Sequence, residues 1–451
     1  MRLPDDTAPS PTGATTTPPT PRANVDAWWT LAVVTALYVI GYLDRFIVTL
    51  VVPDVQADLG LSDTSVGLIL GPAFAIAYAL FSLPSGWAAD RYSRRMVILL
   101  GAALAGIATA FSGMATSFAM LLALRILVGV GESSLVPAAL SLVTQKFPRE
   151  RLTTAISIFS MGPKVGIAVA LALGGVIVSL AGVLAADVPA FRGVDAWRLV
   201  FILTGVPSLL IGFLCLTFRE PALAAPRGDA SPAQAGALRF IASQWRLFVP
   251  MLVGIGAMMV CGQSLVAWVP SHLHRAFAWE PIGYGPLLGL VSAIGAGSLV
   301  VKGMIMDRLF ARGIGDIHLR FYTWLLIATY PAGVVAFLAT GRALFFICYA
   351  LISIIAIPCL AYASVTIQMV TPAAMRGRVL AILSVPLAII GGFGPPLVGR
   401  LTDGLFADPA KLGWSLALVV GISVPIAIAA LRLALPGLRR AIDANRIATA
   451  S

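Results

Sequence analysis

Five ionisable side chains lie deep inside long apolar segments of this sequence. Two are adjacent in "YLDRF", where Asp44 and Arg45 interrupt the run "LAVVTALYVIGYLDRFIVTLVV", and the others are Arg125, Glu132 and Lys164. A charge inside a transmembrane helix costs about 2.5–3.5 kcal/mol on insertion scales, so such residues tend to line a cavity and carry function. Buried acids beside buried bases can hold a proton or bind a charged ligand.

The spacing of these residues limits how they pair. Arg125 and Glu132 are seven residues apart, which places them on one helix face but about 10 Å apart, too far for a direct bond. We therefore expect them to pair across helices with Asp44 and Arg45, and to exchange partners as the protein opens. A static ion pair that only fixes helix register is the alternative. Because Asp44 and Arg45 are adjacent, they point about 100° apart and cannot both face one partner.

Glu132 is the predicted proton carrier, with Asp44 as the second choice. Burial favours the neutral form of a carboxyl group and a nearby arginine favours the charged form, so a proton can be taken up when the arginine moves away. A sodium site is not indicated, because no cluster of carboxylates accompanies them.

Lys164 is the odd member of the five. In "SMGPKVGIA" it lies about eleven residues into its predicted helix, at a depth of roughly 16 Å and near the middle of a membrane. Its ammonium group could hold the anionic head group of a substrate, or it could pair with Glu132. Both interpretations stay open at this point.

The elements that position these charges follow from the composition. Of the 451 residues, 59% are hydrophobic and 11% are charged, against about 25% charged in soluble domains. Twelve apolar runs each provide the roughly 20 residues that cross a hydrocarbon core of about 30 Å. The sequence therefore predicts an all-α membrane protein with twelve transmembrane helices, at 28–52, 64–86, 96–115, 118–143, 153–181, 197–218, 246–271, 282–307, 320–340, 343–370, 377–402 and 412–434.

Basic residues indicate the orientation in the membrane. Of the 31 Lys and Arg, 21 fall in the tails and in every second loop, 6 in the alternate loops and 4 inside helices. By the positive-inside rule, both termini are predicted to be cytoplasmic in a multi-pass protein of the plasma membrane, the inner membrane in bacteria. The net charge of +11 is explained by this placement, and no nucleic-acid partner is predicted.

A polar stretch, "REPALAAPRGDASPAQAGALRFIAS", divides the twelve spans into six and six. We interpret it as a cytoplasmic linker at 219–243, between an N-terminal half at 25–218 and a C-terminal half at 244–436. Disordered or short cytoplasmic tails are predicted at 1–24 and 437–451. Two pseudo-symmetric halves are typical of secondary transporters, which bind substrate between them.

A short motif occurs once in each half, after the second helix. "GWAADRYSRR" in the first half is matched by "GMIMDRLFARG" in the second, with identical spacing and an offset of 217 residues. A glycine lets another helix approach, an aspartate can accept hydrogen bonds from amides at a helix N-terminus, and an arginine can hold the membrane surface or a neighbouring acid. Two copies favour a conformational latch over the alternative, a plain positive-inside loop. The predicted latch residues are Gly86, Asp90, Arg91, Gly303, Asp307 and Arg308.

"GWAADRYSRRMVI" resembles the signature loop of the major facilitator superfamily, and the resemblance covers all twelve spans. "YLDRFIVTLVVPDVQADLGLSDTSVGLI", "RILVGVGESSLVPAALSLV" and "WRLVFILTGVPSLLIGFLCLTFREP" resemble the spinster branch of that family. The resemblance implies the major facilitator fold, alternating access, and lysophospholipid- or sphingolipid-like substrates. It also implies proton coupling at acids such as Glu132 and Asp44. Lys164 departs from the spinster pattern, in which an apolar residue is usual.

Other chemistries lack their motifs. The sequence has no GxxxxGK[ST], GxSxG or HExxH pattern, so neither an enzyme nor a nucleotide cofactor is predicted. The proton gradient is the expected energy source. Four cysteines occur singly in apolar segments, which favours small buried hydrophobes over a disulfide or a metal site; they are Cys215, Cys261, Cys348 and Cys359.

The second half offers polar residues in its spans but no deep charge. A cavity charged on one wall and apolar on the other suits an amphipathic organic anion or zwitterion. We predict a monomeric, proton-coupled secondary transporter of such a substrate. The alternatives are proton symport of a small organic acid and export of drug-like compounds; a non-transporting receptor or scaffold would not need five deep charges. The predicted substrate-binding residues are Arg45, Arg125, Lys164, Gln263 and Trp268. For Gln263 and Trp268, simple packing between helices is the alternative.

Overall fold

The computed structural model describes residues 25–221, 231–357, 359–372 and 375–450, so the predicted tail at 1–24 lies outside the described residues. This part contains twelve helical segments long and apolar enough to cross a membrane, which confirms the predicted all-α fold and its count. Numbered as spans 1 to 12, they are Val25–Leu50, Asp63–Arg91, Arg94–Ser112, Phe118–Lys146, Arg151–Asp187, Ala196–Thr217, Trp245–Phe277, Pro281–Ala311, Ile317–Leu338, Arg342–Val370, Arg376–Phe406 and Pro409–Asp443.

Helical structure extends beyond the predicted membrane segments at two places. The helix of span 12 runs from Leu412 to Ala450, through most of the predicted C-terminal tail. A separate helix, Ser231–Ser243, occupies the end of the predicted linker. Both carry apolar side chains that pack on the protein, since Leu438 is 1% exposed and Ala237 is fully buried. Tertiary packing therefore continues the helices where apolar run length alone ends them.

Several spans begin at side-chain caps and some are interrupted. The hydroxyl groups of Ser62, Ser93 and Ser117 each accept a hydrogen bond from a backbone amide of the first turn of spans 2, 3 and 4, which satisfies one of the free donors there. Interruptions coincide with glycine, serine or proline, which disfavour continuous helix. Four spans are interrupted in this way. Span 2 consists of Asp63–Leu70 and Pro72–Arg91, and span 4 of Phe118–Glu132 and Leu135–Lys146. Span 10 consists of Arg342–Ile355 and Cys359–Val370, and span 11 of Arg376–Gly392, Gly394–Arg400 and the π-helix Leu401–Phe406.

The two halves touch closely through spans 5 and 8 and through spans 2 and 11. A Cβ atom on Gly71 would lie 2.1 Å from the carbonyl oxygen of Gly392, and one on Gly289 would lie 2.7 Å from the Cβ atom of Ala172. Only glycine fits at such distances, as in other close contacts between membrane helices. These contacts lie toward one face, the distal face, opposite the terminal face that carries residue 25 and the end of span 12.

Polar contacts also join the halves on the distal face. The guanidinium group of Arg275 in span 7 donates to both carboxylate oxygens of Asp63, at 2.6 and 2.8 Å, and to Gln56 at 2.8 Å. Asp403 in span 11 accepts hydrogen bonds from the amide and hydroxyl of Thr64, at 2.7 and 2.6 Å. Within the described ranges, every side-chain hydrogen bond between the halves lies on this face. The halves are thus locked together at the distal face alone.

The predicted latch residues lie on the terminal face. Asp90, Arg91, Asp307 and Arg308 are exposed, and among the described residues none of the four forms a hydrogen bond or ion pair. The guanidinium group of Arg91 stacks over the ring of Trp87, 5.0 Å from its centre. The motif copies are therefore unengaged in this conformation, and their role as a latch stays a prediction.

The capping role expected of the aspartate is performed by another residue. Asp90 ends the helix of span 2, and the N-terminus of span 3 is bonded instead by Glu220, which follows span 6 in sequence. Glu220 accepts hydrogen bonds from the hydroxyl of Ser93 and from the amide of Arg94, the latter at 2.6 Å. The sequence motif did not indicate this partner, because Glu220 is brought there by the packing of span 6 against span 3.

Candidate functional site

Asp44 and Arg45 point in different directions from the last turn of the helix Val25–Ile47. Asp44 is 2% exposed and faces the hydroxyl-bearing side chains Thr204 and Ser208 of span 6. Arg45 faces a cavity between the halves, with its guanidinium carbon 3.9 Å from the centre of the Phe74 ring. The sequence left open which of the two faces the cavity, and in this conformation it is Arg45.

The cavity beside Arg45 has a volume of about 300 Å³. Its charged groups are Arg45 and Glu132, both from the first half, and Gln263 is a polar contribution from the second. The Glu132 carboxylate lies against Gly41, where a Cβ atom would be 3.3 Å from its Oε1 atom. The missing side chain at Gly41 therefore leaves room for the carboxylate. Aromatic and apolar side chains that complete the lining include Tyr38, Tyr42, Phe46, Tyr78, Met259, Leu360 and Ala388.

Arg125 lies behind this cavity and does not line it. Its side chain is buried, with 4% exposed, and its guanidinium carbon is 5.0 Å from the centre of the Phe201 ring. One nitrogen donates a long hydrogen bond of 3.4 Å to Ser112. Within the described part of the chain, Nε of Arg125 and Oδ1 of Asp44 have no hydrogen-bond partner. A buried base and a buried acid are thus held close without a direct bond.

The four side chains form an electrostatic network, which we call the charge quartet: Asp44, Arg45, Arg125 and Glu132. Glu132 interacts electrostatically with both arginines, and Asp44 interacts with Arg125 and Glu132. Among the described residues no two members form an ion pair at 4.0 Å or less. The predicted direct pairing is therefore not formed in this conformation. With both acids ionised the quartet is neutral, and a proton on either acid leaves a net positive charge.

Lys164 faces two further cavities, of about 300 Å³ and 240 Å³, and not the one that holds Glu132. The first of these shares Met259 and Gln263 with the cavity of the quartet, and both share Gly262 with each other. The three cavities therefore adjoin. Within the described ranges Lys164 forms no ion pair, so the predicted alternative of pairing with Glu132 is not observed.

The two second-half residues predicted to bind substrate differ in placement. Gln263 lines the first two cavities. Trp268 is fully buried, and its indole N–H donates to the carbonyl oxygen of Pro395 at 2.9 Å, so it supports the bend of span 11 instead of the site. Trp268 is five residues after Gln263, which corresponds to a rotation of about 140° around the helix axis. The two side chains therefore cannot face the same cavity.

Lys302 is a buried cation that the sequence analysis did not assign to the site. Although it lies near the end of span 8, its side chain does not reach the surface, since Lys302 is 7% exposed. Its ammonium group donates to the carbonyl oxygens of Ile354 and Ile355, at 2.7 and 3.3 Å. The signal that could have found it is "IIAIPCLAY", since Pro358 predicts a helix interruption whose free carbonyls need a donor.

Spans 5 and 8 separate toward the terminal face. A Cβ atom on Gly285 would lie 2.5 Å from the carbonyl oxygen of Leu171, whereas Gly297 and Gly303, further along span 8, have open space around them. Lys164 lies where the two helices diverge. Both spans carry exposed apolar side chains in this region: Met161, Val165, Ile294, Val300, Val301 and Met304.

Two six-span halves, locked at one face and enclosing adjoining cavities with buried charges, define a membrane transporter with its binding site between the halves. The sequence profile of the Major Facilitator Superfamily matches residues 34–395. The chain belongs to this family, and its relatives and fold are those of transporters, not enzymes.

Individual relatives agree with this assignment. An "MFS-type efflux pump" of Mycolicibacterium smegmatis is 27% identical over 406 residues, covering 87% of this chain and 89% of that protein. "Protein spinster" of Drosophila melanogaster is 25% identical over 258 residues, covering 56% and 40%. A solved bacterial homologue of the human lysosomal transporter spinster, in an inward-facing and unoccupied conformation, has a TM-score of 0.74 at 24% identity and covers 94% of this chain and 98% of that one. The predicted family resemblance, including that to spinster, is confirmed.

Proposed function

We propose that this chain is a proton-coupled secondary transporter that moves an amphiphilic anion or zwitterion, lysolipid- or sphingolipid-like, by alternating access. It acts as a monomer in the bacterial inner membrane, with both termini in the cytoplasm, so the terminal face is cytoplasmic and the present conformation faces inward. The observation that carries this proposal is the joined cavity system, which has Arg45, Glu132 and Lys164 on its first-half wall and mainly apolar side chains on its second-half wall.

The quartet offers a route to proton coupling. Protonation of Glu132 removes the negative charge beside Arg45, and the guanidinium group then attracts an anionic group in the cavity. Conversely, a bound anion near Arg45 weakens the electrostatic attraction between Arg45 and Glu132, which favours protonation of the acid. Proton and substrate therefore bind with mutual dependence, which a coupled transporter requires.

The second-half wall favours an amphiphile over a small organic acid. The cavities that adjoin Lys164 are lined mainly by apolar side chains, and spans 5 and 8 carry further exposed apolar side chains. An alkyl chain would gain roughly 0.8 kcal/mol per buried methylene there. A small hydrophilic anion would gain nothing from these surfaces.

Export of drug-like compounds is the second candidate. It is favoured by the relative named an efflux pump, which the chain matches over most of both lengths. Cationic drugs are disfavoured by the unpaired Lys164, so this candidate requires neutral or anionic compounds. The two candidates differ in what the purified protein retains.

The test is mass spectrometry of small molecules that co-purify with the protein, followed by flux of the identified compound in proteoliposomes. We expect an acidic or zwitterionic amphiphile whose flux follows an imposed pH gradient. Flux that is unaffected by the pH gradient would refute proton coupling. Retention and transport of only neutral aromatic compounds would favour the second candidate.

A further inference from the structure

The interruption of span 10 exposes backbone oxygens to the middle of the second half. The helix Arg342–Ile355 ends there, and the last carbonyl groups of a helix carry a partial negative charge and lack helical partners. Three side chains supply donors to them: Lys302 bonds to Ile354 at 2.7 Å, Ser298 bonds to the same oxygen at 3.1 Å, and Tyr322 bonds to Ala356 at 2.8 Å. Ser298 and Tyr322 are neutral donors, so Lys302 alone adds charge.

Without Lys302, the wall at this interruption would be negative and would suit a cation. Half-helix C-termini in transporters do bind cations in this manner. Here the Lys302 ammonium group occupies that place, and among the described residues its two carbonyl contacts leave one of its three N–H donors without a partner. The ammonium group therefore offsets the partial negative charge of the carbonyl ends.

Lys164 adds a second positive charge, on the wall of a cavity that this interrupted span also lines through Ser353 and Ile357. The ammonium groups of Lys164 and Lys302 are near enough to repel each other. Within the described ranges, no Asp or Glu forms an ion pair with either lysine. Two buried or half-buried cations with no internal counter-ion are costly, and an anion between them would remove that cost.

We propose that Lys164 and the Lys302-capped interruption of span 10 form a subsite for the oxyanion group, carboxylate, sulfonate or phosphate, of the transported amphiphile. Lys164 binds the anion directly. Lys302 is a positioning residue that covers the carbonyl ends and sets the preference for anions over cations. This inference rests on the proposed function and deepens it, because it assigns the acidic head group to the space between Lys164 of the first half and span 10 of the second, and leaves the proton to the quartet.

The test measures binding at constant pH, without a gradient. The purified full chain in an uncharged detergent is titrated with dodecyl phosphate, inorganic phosphate and dodecyltrimethylammonium, and apparent affinity is taken from the shift in thermal unfolding midpoint. We expect dodecyl phosphate to stabilise the wild type. Lys164→Gln and Lys302→Met should each weaken that binding about tenfold or more, the usual consequence of losing a charge-assisted hydrogen bond.

Further variants separate charge selectivity from a structural role. Lys302→Arg should restore anion binding, and Lys302→Met should bind dodecyltrimethylammonium more tightly than the wild type does. Lys411→Met, the same change at an exposed position, should change neither affinity. If Lys302→Met does not fold, as shown by the lack of a cooperative unfolding transition, Lys164→Gln alone tests the subsite. Lys164 bonds to no backbone group in the described structure, so this variant is expected to fold.

Three results would overturn the inference: no stabilisation by dodecyl phosphate, equal binding by wild type and both lysine variants, or unchanged charge preference in Lys302→Met. Stabilisation by inorganic phosphate at the same concentrations, lost in the same variants, would reassign the subsite to a free oxyanion and overturn the amphiphile assignment. These results are independent of pH-driven flux, which tests the proposed function separately.

Discussion

The two halves of the molecule share one architecture but differ in how they hold charge. In the first half, Asp44 and Arg45 belong to a neutral quartet of two acids and two arginines. The offset of 217 residues that relates the two motif copies places Cys261 and Gly262 at the equivalent positions of the second half, and neither carries a charge. Among its described residues, the second half has instead a single buried Lys or Arg, Lys302, bonded to backbone oxygens.

This difference indicates a division of labour within a duplicated fold. A quartet with two acids can take up and release a proton without a large change in buried charge, because the arginines remain nearby. A cation bonded to a helix end has no acid to exchange a proton with, which suits recognition of an anion.

The largest effect is expected from Glu132→Gln. The amide retains the shape of the side chain against Gly41 but cannot carry a proton, so flux driven by a pH gradient should fall to the background of empty vesicles. Exchange of labelled for unlabelled substrate without a gradient should persist. Glu280→Gln, an exposed acid on the distal face, is the matched control. Normal gradient-driven flux in Glu132→Gln would end the assignment of proton coupling to the first half.

Arg275→Gln should weaken the lock between the halves. The change removes charged hydrogen bonds to Asp63 and Gln56, each worth about 1.5–3 kcal/mol, so the loss of even one corresponds to about a tenfold to hundredfold shift toward a distal-open state. Spin labels on cysteines introduced at Ala57 and Leu405, exposed on opposite halves, would report the change as longer distances. Arg312→Gln, exposed on the terminal face, should leave the distances unchanged. Equal distances in both variants would show that the Arg275 contacts are not needed to close the distal face.

Asp90→Asn and Asp307→Asn compare the two motif copies directly. Neither acid has a bonding partner within the described residues, so neither change should lower the thermal unfolding midpoint of this conformation. Each should slow transport several-fold, since a latch acts only when the terminal face closes. A lower thermal unfolding midpoint with unchanged transport would contradict the latch and indicate that the motif is only a basic loop on the terminal face. A marked inequality between the two variants would show that the copies have diverged, as the charged groups have.

The smallest effect is expected from Asp54→Asn at the distal end of the first half. Partial burial, together with Glu280 and Asp195, raises the pKa of Asp54 from the ordinary 3.8, and His274 opposes this. A raised pKa in the folded state means that the stabilising, protonated form is lost as pH rises through that value. Asparagine resembles the protonated form, so the variant should unfold at a slightly higher temperature at neutral pH and at the same temperature near pH 4. An equal gain at both pH values would point to a cause other than ionisation.

Much of the fold follows from local sequence because membrane helices satisfy their hydrogen bonds internally. Apolar run length was enough to predict all twelve spans. The breaks were less visible, since they depend on contacts between segments. Gly71 interrupts span 2 where Gly392 of span 11 approaches, and no pattern local to either segment records that approach.

The sequence by itself determined the number of spans, the division into halves, the duplicated motif and the five charges that insertion energetics mark as functional. Only the tertiary structure decided where those charges point. It turned Arg45 toward the cavity and Asp44 away from it, separated Lys164 from Glu132, and removed Trp268 from the site. It also revealed Lys302, whose carbonyl partners lie 52 and 53 residues away along the chain. The physical reason is that the free-energy cost of burying a charge depends on the residue type. Which groups a buried charge contacts depends instead on helix rotation and on packing between segments distant in sequence.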